Sequence, residues 1–525
     1  MEQYLSFLLT FTLAVALSTS LTILMKRSSS SKRASNHKLP PGPWRLPIVG
    51  NLHQLSGPEP VHRRLRDMAR KYGPVMQLQL GELRHVVVTS KEAAADVLKT
   101  HDAVLASRPH VLAADIFYYG EKGIGFTPYG EYWRLMRKVS ATELLGNKRV
   151  LSYRSIREEE LSGNMVSRIS SIADGQQESA VINLAEILFW VTNRVIARSA
   201  FGSVKETTES LMQTVSSGSD MLGGLTVSDL YPSIKFLPAL TGFRAKVTRL
   251  HEEADALLEE IVNEHITRRA AGKKQSTNCD QAATATDDFV DVLLDLQENC
   301  TDLESPLTVE HVKAIATEMY LAASGTLIVT MEWIMAELMR NPRVMQKVQK
   351  EVREKMIGKG KFLDEEGLED LKYMNAVIKE AFRLHPVSPL LVPRESQEDV
   401  VVDGYMVPAK TKVMVNVWAI GRDSRYWADP ETFYPERFLD CSIDYKGRDF
   451  EFLPFGAGRR ICPGLIFGMA IVKFGLANLL YHFDWKLPGD MKPEDLDMSE
   501  RFGITLRRNC PLCLIPIAYN DNNLP

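Results

Sequence analysis

Apolar residues recur at helical spacing along most of the chain, and strand-like alternation is confined to short runs. The longest helical run goes from Thr308 to Arg340, roughly 50 Å of helix. Thr308 suits its N-cap, and Asn341-Pro342 opens the next helix. Leu465 to His482 reads as a second strongly apolar helix. Val75 to Leu80 and His85 to Thr89, separated by a segment containing Gly81, predict a β-hairpin. Val400 to Val402 and Lys412 to Ala419 predict further strands. Ala271 to Asp287 is polar and rich in small residues, the pattern of a surface loop. No internal repeat is present, and the pattern predicts a mainly helical protein with small β-sheets.

The amino-terminal pattern is different. Tyr4 to Met25 is uncharged and mostly apolar, about the length that spans a bilayer. Lys26, Arg27, Lys32, Arg33 and Lys38 follow, which places that side of the span in the cytosol by the positive-inside rule. A cleaved secretory signal is the competing reading, but no small-x-small cleavage site adjoins the span. Ser28 to Ser31 belong to a flexible basic linker, and Leu39-Pro40-Pro41-Gly42-Pro43 forms a stiff hinge. The expected division is residues 1–25 as anchor, 26–43 as linker and hinge, and 44–525 as the main folded part. Asn299-Cys300-Thr301 is a glycosylation sequon that a cytosolic domain would leave unmodified.

Composition narrows the choice. The chain has 525 residues, of which 45% are hydrophobic, enough for a large core. A net charge of −3 gives no sign of nucleic-acid binding, and six cysteines are too few for a disulfide framework. Cys510 and Cys513 form one C-x-x-C, for which a structural role is expected. Length alone suggests about three domains.

The chemistry concentrates in Phe455-Gly456-Ala457-Gly458-Arg459-Arg460-Ile461-Cys462-Pro463-Gly464. One cysteine sits between small-residue turns, just before a predicted helix. A helix N-terminus, Arg459 and Arg460 would favour its thiolate. A lone cysteine of this kind would be read as an ordinary buried residue, but F-x-x-G-x-R-x-C-x-G is far more specific. It closely resembles the haem-binding loop of the cytochrome P450 superfamily. Trp133 and Arg137 share one face of a predicted helix. Glu380 and Arg383 stand three apart on another helix, upstream of Pro435-Glu436-Arg437-Phe438. The proline hinge after an anchor, Pro128-Tyr129-Gly130, Trp133-Arg134 and the cysteine loop are together similar to plant microsomal members, in particular the large plant family that oxidises terpenoids and alkaloids.

The resemblance covers nearly everything from Leu39 onward, and it makes one large domain of the cytochrome P450 fold the expectation. It implies haem b with Cys462 as axial ligand, Trp133, Arg137 and Arg460 toward the propionates, and Phe455 and Gly456 against the cofactor. It implies a structural network of Glu380, Arg383 and Arg437. It implies O2 as co-substrate, NADPH-derived electrons from NADPH–cytochrome P450 reductase, and single-pass attachment to the endoplasmic reticulum with the catalytic domain in the cytosol. The substrate pocket would draw on Ile116, Phe126, Met319, Ala322, Ala323, Leu390, Leu391, Phe502 and Ile504, with further contributions near Leu222 to Leu237. These stretches are largely apolar and suit a hydrophobic small molecule.

One place departs from the family pattern. Ala322-Ala323-Ser324-Gly325-Thr326-Leu327 keeps the threonine usual in the family's central helix, but Ala323 replaces its glycine, Gly325 its acid and Leu327 its second hydroxyl. A hydroxyl beside an acid relays protons during O2 activation; here Thr326 is the remaining catalytic candidate. The leading expectation is a monooxygenase that hydroxylates or epoxidises a terpenoid or alkaloid. A haem-thiolate cyclase, coupling enzyme or isomerase without net oxygen insertion is the alternative, and a non-catalytic haem or ligand-binding protein is the third.

Overall fold

The structure is a computed structural model that describes residues 37–120, 122–173, 180–275, 287–299, 307–356 and 364–519. The expected span from Tyr4 to Met25, the basic residues after it up to Arg33, and the Ser28 to Ser31 linker lie outside the described residues.

A small sheet forms one wall. Strand β1 (Val75–Leu80) pairs antiparallel with β2 (Leu83–Val88), as the alternation predicts, although β2 starts two residues earlier than expected. Later in the chain come β3 (Arg394–Glu395) and β4 (Lys412–Val415), and the order across the sheet is β1-β2-β4-β3. Strands β2 and β4 run parallel, with His85 opposite Lys412. The expected strand from Lys412 to Ala419 is halved: it stops at Val415, and Val417–Ile420 turns into a short helix. Asn416 causes the switch, because its side chain accepts a hydrogen bond from Ala419 N–H at 3.0 Å and caps that helix. The hinge has no regular structure, and its Pro41 carbonyl accepts from Gln77 N–H on β1 at 2.8 Å.

The helical part is built round four elements: α1 (Glu131–Val139), α2 (Val309–Arg340), α3 (Lys372–Leu384) and α4 (Leu465–His482). Thr308 caps α2 as expected, with His311 Nδ1 returning to the Thr308 N–H at 3.0 Å. Helices α2 and α4 are both apolar and long enough to cross a membrane, yet 67% and 72% of their apolar stretches lie inside the fold. They are the core of the domain, with Leu184–Phe201 packed along α2. Met331, Ile334, Met335 and Leu338 are fully buried on α2. Burial of each contributes about 1.5–3 kcal/mol relative to exposure. Trp333 stacks flat on His385 at 3.9 Å, and its indole N–H donates to the Leu506 carbonyl at 2.8 Å. That bond fixes the segment around Phe502 to Arg508 against the central helix.

The expected loop from Ala271 to Asp287 is partly helical, because the helix Phe243–Gln275 runs on through its first residues. Residues 276–286 lie outside the described residues. Cys510 and Cys513 are exposed and unbonded to one another.

Candidate functional site

The loop before α4 is shaped by glycines. At Gly458, φ is +69°, and a Cβ there would lie 2.2 Å from the Leu98 carbonyl oxygen, so no larger residue fits. Gly456 is also left-handed, with only the Leu391 side chain, at 3.7 Å, beyond a would-be Cβ. The Cys462 N–H donates to the Phe455 carbonyl at 3.0 Å and closes the loop. Phe455 packs edge-on against Phe382 and Tyr445. Cys462 is a free thiol, and it lines an apolar cavity of about 810 Å³ under the middle of α2.

The electrostatics at the sulfur differ from the sequence expectation. Burial pushes the Cys462 thiol up; the Gly464 N–H and the Arg137 charge oppose this. Arg459 instead holds Asp102 and Tyr129. Arg460 donates to the carbonyls of Ala106, Ile124 and Thr127, and lies 4.2 Å over the Trp133 ring. The cation that acts on Cys462 is Arg137, from a different helix. The sulfur can still be a thiolate in a loaded site, since a metal deprotonates a coordinating thiol outright.

Trp133 and Arg137 do share a face of α1, and both line the cavity. The Trp133 indole N–H donates to the Ile124 carbonyl at 3.0 Å, so its hydrogen bond is already made within the protein. The Arg137 guanidinium makes no hydrogen bond or ion pair among the described residues, and burial holds its pKa below the usual value. Arg108 and Arg394, which the sequence reading missed, line the cavity as well. Arg394 binds Asp102 at 2.6 Å and the Ala457 carbonyl at 3.0 Å. Burial, with Arg394 adding like-charge repulsion, pushes Arg460 down to about 9. This surplus of crowded guanidinium groups at one edge of an apolar cavity suits a large ligand carrying carboxylates.

Glu380, Arg383 and Arg437 are brought together. Arg383 grips Glu380 with two bonds of 2.8 Å, and both side chains are fully buried. Arg437 adds a third contact at 3.1 Å, and the Tyr434 N–H a fourth at 2.8 Å. The remaining Arg383 donors reach the carbonyls of Gly421, Pro430 and Thr432.

On α2, Thr326 faces the cavity and donates back to the Ala322 carbonyl at 2.8 Å. A Cβ at Gly325 would meet only Arg507 Nη2, at 3.8 Å, so the space for an acidic side chain is open and ends on a guanidinium. A second carboxylate was missed in the sequence. Glu318 is buried two turns upstream and accepts the N–H groups of Ile124 and Gly125, the latter at 2.7 Å. Burial raises its pKa against those bonds and the charges of Arg460 and Arg108. Its signal was a lone acid in an apolar helix stretch.

Of the expected pocket residues, Phe126, Met319, Ala322, Ala323, Leu391 and Ile504 line the main cavity, as does Leu222. Ile116 does not; it packs in the apolar cluster around Phe117 and Phe126. Leu390 and Phe502 line an adjoining chamber instead.

A thiol at the base of such a cavity, with crowded guanidinium groups at one edge and the donors of Arg137 unspent, defines a protein of the haem-thiolate class. The model for the family described as Cytochrome P450 matches residues 40–510, and the chain belongs to this family. It is 46% identical over 500 residues to 5-epiaristolochene 1,3-dihydroxylase of Nicotiana tabacum, covering 95% of this chain and 97% of that protein. It is 47% identical over 500 residues to premnaspirodiene oxygenase of Hyoscyamus muticus, with the same coverage of 95% and 97%. Desmethyl-deoxy-podophyllotoxin synthase of Sinopodophyllum hexandrum is 44% identical over 519 residues, covering 99% of this chain and 98% of that one. A zebra fish cytochrome P450 solved with progesterone superposes at a TM-score of 0.72 with 25% identity, covering 88% of this chain and all of the other. The protein is therefore a cytochrome P450 monooxygenase that binds haem b.

Proposed function

We propose that the protein is a microsomal plant monooxygenase that hydroxylates or epoxidises an apolar specialised metabolite, a terpenoid or alkaloid, on the cytosolic face of the endoplasmic reticulum. The observation that carries this reading is the apolar cavity of about 810 Å³ with Cys462 at its base and Thr326 on the wall above. Relatives named for dihydroxylation of 5-epiaristolochene and oxygenation of premnaspirodiene support the substrate class. Tyr4 to Met25 would anchor the chain, and NADPH–cytochrome P450 reductase would supply electrons.

Bound haem would supply O2 activation and C–H oxidation. Cys462 would hold its iron, with Phe455 and Gly456 against it. Arg137, whose donors make no other bond among the described residues, would take a propionate, helped by the Arg460 and Arg394 charges. Trp133 and Arg460 would act through the carbonyls they tie, which hold the loop from Ile124 to Thr127 over the cavity edge. The buried Glu380 network would stiffen the support behind Phe455. Thr326 would hold a water at the distal wall through its hydroxyl. The test is co-expression with a plant reductase and a panel of terpene and alkaloid precursors under isotopically labelled O2. One labelled oxygen in the product is expected.

Gly325 favours a second reading, an oxidative cyclase, coupling enzyme or isomerase, because the wall above Cys462 lacks the acid next to Thr326. Products free of label in the same experiment would select it.

A further inference from the structure

A side chamber of about 280 Å³ adjoins the main cavity. Arg108, Phe126, Leu222, Leu391 and Ile504 line both spaces, which sets the two side by side. The chamber is walled by Leu390, Met414 and Phe502, but two polar residues enter it from the sheet. They are His85 on β2 and Lys412 on β4, which face one another across the parallel pair.

Lys412 is only 5% exposed. Its ammonium makes no hydrogen bond or ion pair among the described residues. The acids that act on it do so at longer range and are engaged elsewhere. Asp229 caps its own helix and accepts the Leu112 N–H at 3.0 Å, and Glu395 pairs with Lys410 at 3.2 Å. Burying an ammonium without a counter-ion is strongly unfavourable, and a carboxylate delivered by a ligand offsets it. The other groups leave Lys412 as the chamber's available cation. Arg108 spends its guanidinium on the carbonyls of Gly125, Val392 and Pro393. His85 places Nδ1 3.1 Å from the Leu83 carbonyl, and burial next to Lys412 keeps the ring neutral, with its pKa pushed down to about 3. Two cations therefore line the chamber, Arg108 with its donors already taken by carbonyls and Lys412 with its ammonium free to donate, an arrangement that suits a single carboxylate at Lys412.

We propose that Lys412 makes the side chamber a carboxylate subsite, so that the substrate is an apolar molecule with one acid group whose skeleton extends into the cavity over Cys462. This rests on the apolar-substrate reading above and narrows it.

The test uses the full chain, loaded with haem in lipid nanodiscs, and three probes that share one skeleton: farnesoic acid, farnesol and methyl farnesoate. Binding is measured by calorimetric titration and by the ligand-induced shift of Tm. The acid is expected to bind about tenfold to a hundredfold more tightly than the ester, the range of a hydrogen bond to a charged group. Lys412→Met should abolish that preference and Lys412→Arg should retain it. Equal binding of all three probes overturns the carboxylate assignment and leaves the apolar-substrate reading intact. A preference that survives in Lys412→Met also overturns it. Binding of none removes the apolar-substrate reading and the proposal together. Should Lys412→Met fail to take up haem, the comparison of acid with ester on the unmodified protein still decides.

Discussion

Filling the open position on the central helix tests the reading of the distal wall. Gly325 is in mid-helix, where glycine costs about 1 kcal/mol relative to alanine. A Cβ there meets nothing closer than Arg507 Nη2 at 3.8 Å, an ordinary contact that requires no movement. Gly325→Ala should therefore stabilise the fold by about 0.5–1 kcal/mol. Gly325→Asp recovers less helix propensity, about 0.3 kcal/mol, because aspartate is a poorer helix former. Its carboxylate would lie within reach of Arg507, and a half-exposed pair adds up to about 1 kcal/mol. Both variants should thus be at least as stable as the parent in thermal unfolding followed by circular dichroism. They should separate in turnover: in reconstituted assays with reductase, aspartate should raise the product formed per NADPH consumed and alanine should leave it unchanged. Loss of stability in Gly325→Ala would mean that the glycine is required by packing, and the account of a vacant acid position would fail. Equal coupling in the two variants would show that an acid beside Thr326 has no part in this enzyme's proton delivery.

Other outcomes follow from the same geometry. Glu380→Gln keeps the shape but leaves the fully buried Arg383 without its counter-charge, so unfolding free energy should fall by about 3–5 kcal/mol; a fall below about 1 kcal/mol would contradict a structural role for the network. Arg137→Ala should lower the haem-to-protein ratio after purification while leaving far-ultraviolet circular dichroism unchanged, and full haem retention would reassign the propionate contact. Burial would raise the Glu436 carboxyl, but hydrogen bonds from Arg343, Lys347 and Tyr373 outweigh it and hold the group at about 2, below the usual 4.5. The depressed folded-state value means that its stabilisation is present at neutral pH and is lost as pH falls from about 4.5 toward 2. Glu436→Gln should flatten that part of the acid-unfolding curve, by no more than on the order of 1 kcal/mol given the group's exposure.

The chain itself determined whatever depends on local order. The period of apolar residues fixed α4 from Leu465 to His482 and α2 behind Thr308, because a cap and a continuous apolar run are properties of neighbouring residues. The fixed spacing in Phe455 to Gly464 identified the thiol loop for the same reason. Asn416 shows the limit of such patterns: an alternating run reads as strand to Ala419, and one capping side chain ends it at Val415. What belongs to no stretch of sequence was decided by tertiary packing. Burial dominates at the Cys462 sulfur, and the cation that opposes it is Arg137, although Arg459 and Arg460 are its neighbours in sequence, because the fold turns those two toward Asp102 and the carbonyls of Ala106, Ile124 and Thr127. Glu318 and Arg394 join the site through burial, which gives a charge its chemical weight and leaves little trace in residue order. Lys412 reads as an ordinary strand lysine until β2 sets His85 opposite it and the chamber closes over both, since only the assembled walls remove the water that would otherwise solvate the ammonium.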